Sequence, residues 1–271
     1  MDLRPGYREL APPPALRDAL ACLWVRVVSP GEPPVRVLPD ACADLIWRAG
    51  RGAFVAGPDT GPWQSAAPGA VFVGARFLPG AGGPALRVPL SDLRDLRVQL
   101  ADLWPELDRR LPPTLAVPAA LRGVAAAAAG LVAAGPPDRA VRRAARLLAD
   151  PRAGVRALAG DLGLSERQLR RRCHETVGYG PKTLQRVLRF RRFLARLDGG
   201  GAADLARAAA EAGYADQAHL TRECTRLAGL APAALARART SASTEGDDPW
   251  RGSRSTSSGG SWSTARRSGA T

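Results

Sequence analysis

The sequence predicts an α+β chain: a small β-rich N-terminal domain, cupin-like or β-barrel-like, then bridging helices, then an all-α C-terminal domain that uses one pattern twice. Three observations carry this prediction. The first hundred residues alternate short apolar runs with Gly/Pro turns, from about Asp92 the apolar spacing turns helical, and within 155–239 the chain repeats itself at an offset of 51 positions.

The apolar runs of the first part are Cys22 to Val28, Val35 to Leu38, Asp44 to Trp47, Phe54 to Ala56 and Val71 to Leu78. In the last of them Val71, Val73, Ala75 and Phe77 fall on one face and Phe72, Gly74 and Arg76 on the other, the period of two of a half-buried strand. Residues 1–90 are therefore expected to form a β-rich domain. Leu93, Leu96, Leu100 and Leu103 stand at helix spacings, a Pro112-Pro113 turn follows, and 115–134 is Ala-rich, so 91–136 is expected to supply bridging helices. Gly135-Pro136-Pro137 stops a helix and Asp138 is a good N-cap, which places the start of the C-terminal domain, 138–239. Beyond 239 the Ser/Thr/Gly-rich segment has no periodic apolar face, and 240–271 is expected to be disordered.

Composition narrows the function classes. The apolar stretch Val124 to Ala134 is too short to span a bilayer, so a soluble, cytoplasmic protein with no membrane partner is expected. Four scattered cysteines with no CxxC pair suggest neither a disulfide scaffold nor a zinc site, and no metal or other cofactor is expected. The formal charge of +14 sits unevenly: 1–136 holds 14 basic and 12 acidic residues, whereas 137–239 holds 21 and 10. A basic segment that also has the apolar periodicity to fold points to a polyanion partner.

The repeat lays Ser165 on Asp216, Leu169 on Leu220, Arg171 on Arg222, Cys173 on Cys224, Gly178 on Gly229, Pro181 on Pro232 and Leu184 on Leu235. Each copy reads as an apolar helix, a Gly turn, a capping residue and a second helix with one polar face. In the first copy Leu169, Cys173 and Val177 point inward, while Arg167, Arg170, Arg171 and His174 make the opposite stripe at i, i+3, i+4 and i+7. In the second, Leu220, Cys224 and Leu227 point inward and Gln217, Ala218, Thr221, Arg222 and Thr225 outward. Guanidinium forks match guanine edges and phosphates, and Gln can read adenine, so both helices are equipped for the major groove of double-stranded DNA. A solvated helix face is the plain alternative for the arginine stripe. Between the copies, Thr183 to Leu197 is an amphipathic helix able to space two reading heads about one DNA turn apart, roughly 34 Å.

The run VRALAGDLGLSERQLRRRCHETVGYGPKTLQRVLRFRRFLARL, followed by LARAAAEAGYADQAHLTRECTRLAGLAPAAL, resembles the DNA-binding domain of the AraC/XylS family of transcription regulators over about 100 residues. The resemblance implies two helix-turn-helix units joined by a long helix. It also implies base-contacting roles for Arg167, Arg170 and Arg171 in the first recognition helix and for Gln217, Ala218, Thr221 and Arg222 in the second. Cys224 stands where the family's signature usually has Phe, and Ala218 cannot donate a hydrogen bond. The segments LPDACADLIW (38–47) and VFVGARFLPGAGG (71–83) resemble sensor-like domains of actinobacterial members. The expected function is that of a promoter-binding transcription regulator, an activator, with RNA polymerase, a small-molecule effector and a second copy of the chain as further partners.

Two N-terminal features admit a second reading. Trp24, Asp40, Asp44, Trp47 and Arg76 could line an effector pocket, or could belong to the core of a small β domain. Asp40, Cys42 and Asp44 could make a DNA-directed enzyme or methyl-acceptor, but both histidines, His174 and His219, lie in the recognition helices, so a turn with a core cysteine is the favoured reading and no enzyme is expected. A non-specific DNA-binding protein is the remaining alternative.

Overall fold

The computed structural model describes residues 4–65, 67–198 and 204–244, the last five by their backbone. The N-terminal part is built on β1 (Gly6–Leu10), β2 (Leu20–Val27), β3 (Val35–Val37), β4 (Ala43–Arg48), β5 (Gly52–Ala56), β6 (Trp63–Ser65) and β7 (Val71–Phe77), followed by α1 (Gly82–Leu86) and β8 (Arg97–Gln99). Among the described residues, six strands form an antiparallel sheet in the order β1-β2-β7-β4-β5-β8, and β3 pairs with β6 in a separate ladder.

Alternation gives the sheet two unlike faces. Leu23, Val25, Leu45, Trp47, Val55, Val73, Ala75 and Phe77 are buried together on one side. Cys22, Trp24, Ile46 and Ala56, with Tyr7, Phe54 and Phe72 against them, occupy the other. The first face is closed by helix. After α2 (Leu100–Leu103) and α3 (Pro105–Asp108), the helix α4 (Val117–Ala134) lays Val117, Ala120, Val124, Ala127, Ala128 and Leu131 onto it. This helix is apolar enough by length and composition to cross a membrane, yet its buried stripe belongs to the sheet's core.

The structure corrects the reading of 91–136 in two ways. The leucine spacing over 93–103 does not make one helix: Arg97–Gln99 pairs with the free edge of β5, and Pro105 limits α2 to a single turn. The helices read as bridging instead complete the first domain's core, because the sheet's apolar face needs a cover.

The C-terminal part is helical: α5 (Arg139–Leu148), α6 (Val155–Asp161), α7 (Glu166–Val177), α8 (Pro181–Asp198), α9 (Leu205–Ala212), α10 (Gln217–Ala228) and α11 (Pro232–Thr244). Asp138 caps α5, its carboxylate accepting from the amides of Ala140 and Val141. One continuous core joins both units, from Leu158, Leu169 and Cys173 through Phe190 and Phe193 to Ala212, Leu220, Cys224 and Leu235. The helix α11 runs through Thr244, five residues past the expected end of order, and 245–271 lies outside the described residues.

Candidate nucleic-acid interface

The 51-residue repeat of the sequence is a repeat of structure: α7 and α10 are each twelve residues long and start 51 positions apart, as do α8 and α11. Ser165 caps α7 in a capping box, its hydroxyl accepting from the Gln168 amide at 3.2 Å while Gln168 Oε1 accepts from the Ser165 amide at 2.8 Å. Asp216 caps α10 through the His219 amide at 2.6 Å. Each helix ends on a glycine in the left-handed region, Gly178 at φ 93° and Gly229 at φ 67°.

The inward stripe of α7 is buried in the shared core, while Arg167, Arg170 and Arg171 are exposed. Arg171 makes a loose ion pair with Glu175 at 3.6 Å, a link that a phosphate or base edge can displace because both side chains are solvated. His174 sits at the end of the stripe and is half-buried; burial first, then Arg170 and Arg94, hold its imidazole below the ordinary value, so it is mostly neutral at pH 7.

On α10, Gln217, Ala218 and Arg222 are exposed. The Thr221 hydroxyl donates to the Gln217 carbonyl at 2.8 Å, which leaves it an acceptor towards a base. Cys224, in the place of the signature's usual Phe, is fully buried and simply fills the core. The arginines of α8 have other duties: Arg186 pairs with the buried Glu223 of α10 at 3.1 Å, Arg196 with Glu211 of α9 at 3.3 Å, and Arg192 donates to the carbonyl of Ala149. They fasten the spacer to the second unit and to the end of α5.

In the N-terminal domain the antiparallel register sets Arg76 directly opposite Cys22 on one side and Asp44 on the other. The Arg76 guanidinium lies 3.2 Å from Asp44, 3.2 Å from Asp40 and 3.6 Å from Glu9, and the Trp24 indole donates to Asp44 at 2.7 Å. Burial pushes the Asp44 carboxyl up to about 6, with Arg76 opposing it. The structure thus brings Trp24, Asp40, Asp44 and Arg76 together. Trp47 is not with them, since it lies on the other face of β4 and donates to the carbonyl of Pro112 at 3.0 Å. The period of two already separates it from Asp44, three positions away. Cys42 is buried, its amide held by Asp40 at 2.9 Å, and burial pushes its thiol well up, which disfavours the nucleophilic thiolate.

Sequence reasoning did not find the contact between the two domains. The amides of Leu90 and Ser91 donate to the carbonyls of Glu175 and His174, at 2.9 and 3.2 Å, in the last turn of α7. Leu38 and Ala41 join the core of the helical domain, and Arg191 of α8 donates to the Asp40 carbonyl at 3.4 Å. Such contacts carry no local periodicity, although the glycines at 83 and 178 are a signal of close approach: a Cβ on Gly83 would stand 2.3 Å from the Glu175 carbonyl.

A family model described as a helix-turn-helix domain matches residues 158–238, and one described as a domain of unknown function (DUF6597) matches residues 8–99. No curated protein matches the chain. Among solved structures, an apo ToxT variant from Vibrio cholerae strain SCE256 aligns with a TM-score of 0.43 at 11% identity, covering 79% of this chain and 97% of that one. The C-terminal part of the chain is an AraC-type helix-turn-helix domain, the DNA-binding part of a transcription regulator, carried behind an N-terminal domain of unknown function.

Proposed function

We propose that the chain is a sequence-specific regulator that grips an asymmetric promoter site with two heads. In this reading α7 addresses one half-site through Arg167, Arg170 and Arg171, with His174 at its margin, and α10 the other through Gln217, Ala218, Thr221 and Arg222. One observation carries it: two capped helices of equal length, 51 residues apart, bury equivalent stripes in one core and leave their polar stripes in solvent. Phosphate neutralisation by exposed arginines makes binding strongly salt-dependent, and the base-facing forks make it sequence-dependent.

The N-terminal domain is proposed as the controlling part, through a small molecule or a partner at the cluster of Trp24, Asp40, Asp44 and Arg76. Support comes from its position: the Asp40 loop that closes this cluster also accepts a hydrogen bond from Arg191 of α8. RNA polymerase at the promoter and a second copy of the chain complete the proposed partners, and the cytoplasm is the proposed compartment.

The test is selection of bound sites from random duplex DNA with the full chain at near-physiological salt. A bipartite motif is the expected result. Tight binding without enrichment of any sequence would instead indicate a non-specific binder.

A further inference from the structure

The sequence GPDTGP at 57–62 places two Gly-Pro pairs four residues apart, directly after β5. Each proline lies against the left-handed glycine that ends one recognition helix. A Cβ on Gly178 would stand 2.5 Å from Pro58 Cγ and 2.9 Å from the Leu90 carbonyl. A Cβ on Gly229 would stand 3.4 Å from Pro62 Cγ, and one on Gly61 3.7 Å from the Arg226 carbonyl in the last turn of α10. One short piece of the N-terminal domain therefore touches the equivalent end of both heads.

That piece is held from several sides. The Gly57 amide donates to the Leu96 carbonyl at 3.0 Å, and the Asp95 amide donates back to the Pro58 carbonyl at 3.1 Å. Arg97 grips the Asp59 carboxylate with two bonds, at 2.8 and 2.7 Å, and lies over the Trp63 ring at 4.7 Å. The Thr60 amide and hydroxyl both donate to Asp95, at 2.6 and 2.8 Å. Bidentate pairing and proline leave such a segment little freedom. Four residues of chain span at most about 14 Å, so the two prolines also limit how far apart the helix ends can move while both contacts hold.

We infer that the 57–62 segment is a positioning element for DNA recognition: it fixes the mutual placement of α7 and α10, so that the N-terminal domain sets how strictly the spacing between half-sites is read. This rests on the two-headed reading above. A single inserted base pair moves one half-site by about 3.4 Å and turns it by about 35°, which heads tied to one segment at their C-terminal ends cannot follow.

The experiment measures the affinity of the full chain for its selected bipartite site, for the same site with one to three added base pairs between the halves, and for the first half-site alone. The wild type should lose affinity steeply with each insertion. Pro62→Gly, at an exposed position, should reduce that spacing penalty several-fold while leaving affinity for the single half-site unchanged. Asp59→Ala, which frees the segment from Arg97 with Pro62 in place, should act in the same direction. Folded variants that keep the wild-type penalty would overturn the inference. A wild type indifferent to the second half-site would overturn the two-headed reading, and the positioning role with it.

Discussion

Arg172, on the flank of the first recognition helix, donates to the carboxylate of Asp138 at 3.4 Å, the same carboxylate that caps α5. The Asp138 amide in turn donates to the carbonyl of Gly80 in the N-terminal domain at 2.9 Å. A residue recognisable in the sequence as a helix cap thus also ties α7 to the start of its own domain. Replacing it by alanine removes the cap and leaves Arg172 without that acceptor. Asp138→Ala should cost about 1 kcal/mol, the usual worth of an N-cap, plus a smaller amount for the half-exposed ion pair. Denaturant unfolding of the full chain should show a lower midpoint with an unchanged slope, and an unchanged midpoint would deny Asp138 this role.

Arg171→Ala should weaken binding to the selected site by about 1–3 kcal/mol and relax the preference at one base position, as loss of a guanine fork does. Its side chain is 68% exposed, so the thermal midpoint should hardly move. Arg222→Ala should act in the same way on the other half-site. Unchanged affinity and base preference in both variants would remove the assignment of the two helices as reading heads.

Gly74 lies beneath Trp24 in the sheet, opposite it in register, and a Cβ there would stand 2.2 Å from the indole ring. Gly74→Ala should therefore displace Trp24 from Asp44 and destabilise the N-terminal domain by about 1–3 kcal/mol, the range of overpacked cores. Calorimetry checks the size of the loss, and a variant as stable as the wild type would mean that the ring yields freely.

Burial raises the Asp44 carboxyl from its ordinary value to about 6. The folded chain then holds this proton more tightly than the unfolded chain does. The group's stabilising contribution is present in acid and is lost as pH rises from about 4, the ordinary carboxyl value, to about 6. Asp44→Asn keeps an acceptor for Trp24 and has no proton to lose. Unfolding midpoints of the variant should decline less between these pH values than those of the wild type, and parallel declines would count against a raised Asp44.

All four cysteines, Cys22, Cys42, Cys173 and Cys224, are buried, and burial pushes Cys173 and Cys224 up to about 12 and holds Cys22 and Cys42 well above the ordinary thiol value. Iodoacetamide at pH 7.5–8, roughly the range in which free thiols begin to react, should label none of them until denaturant is added. Rapid labelling of Cys42 in the folded chain would revive the reading of that residue as a nucleophile.

The helical domain was legible in the sequence because its determinants are local. A cap acts within three residues, a glycine ends a helix in place, and the inward stripe of each recognition helix follows from a period of 3.6. Ser165 and Asp216, Gly178 and Gly229, Leu169 and Leu220 could all be read before any contact was known. The strands that carry an apolar run, the three-residue β3 among them, were legible in the same way, but β1, β6 and β8 were not, since short strands rich in polar residues are made by the partner that pairs with them.

By itself, then, the sequence determined the repeated helical unit, its polar stripes, its capped helices and the alternation of the main strands. Only the tertiary structure decided that the Ala-rich helix α4 covers the sheet, that Arg76 meets Asp40, Asp44 and Glu9, that Trp47 stays apart from them, and that Pro58 and Pro62 reach the ends of both recognition helices. The reason is one of range: caps, turns and periodicity are set by residues a few positions apart, whereas these contacts join segments up to about 170 positions apart and arise only when separate apolar faces find one another and exclude water.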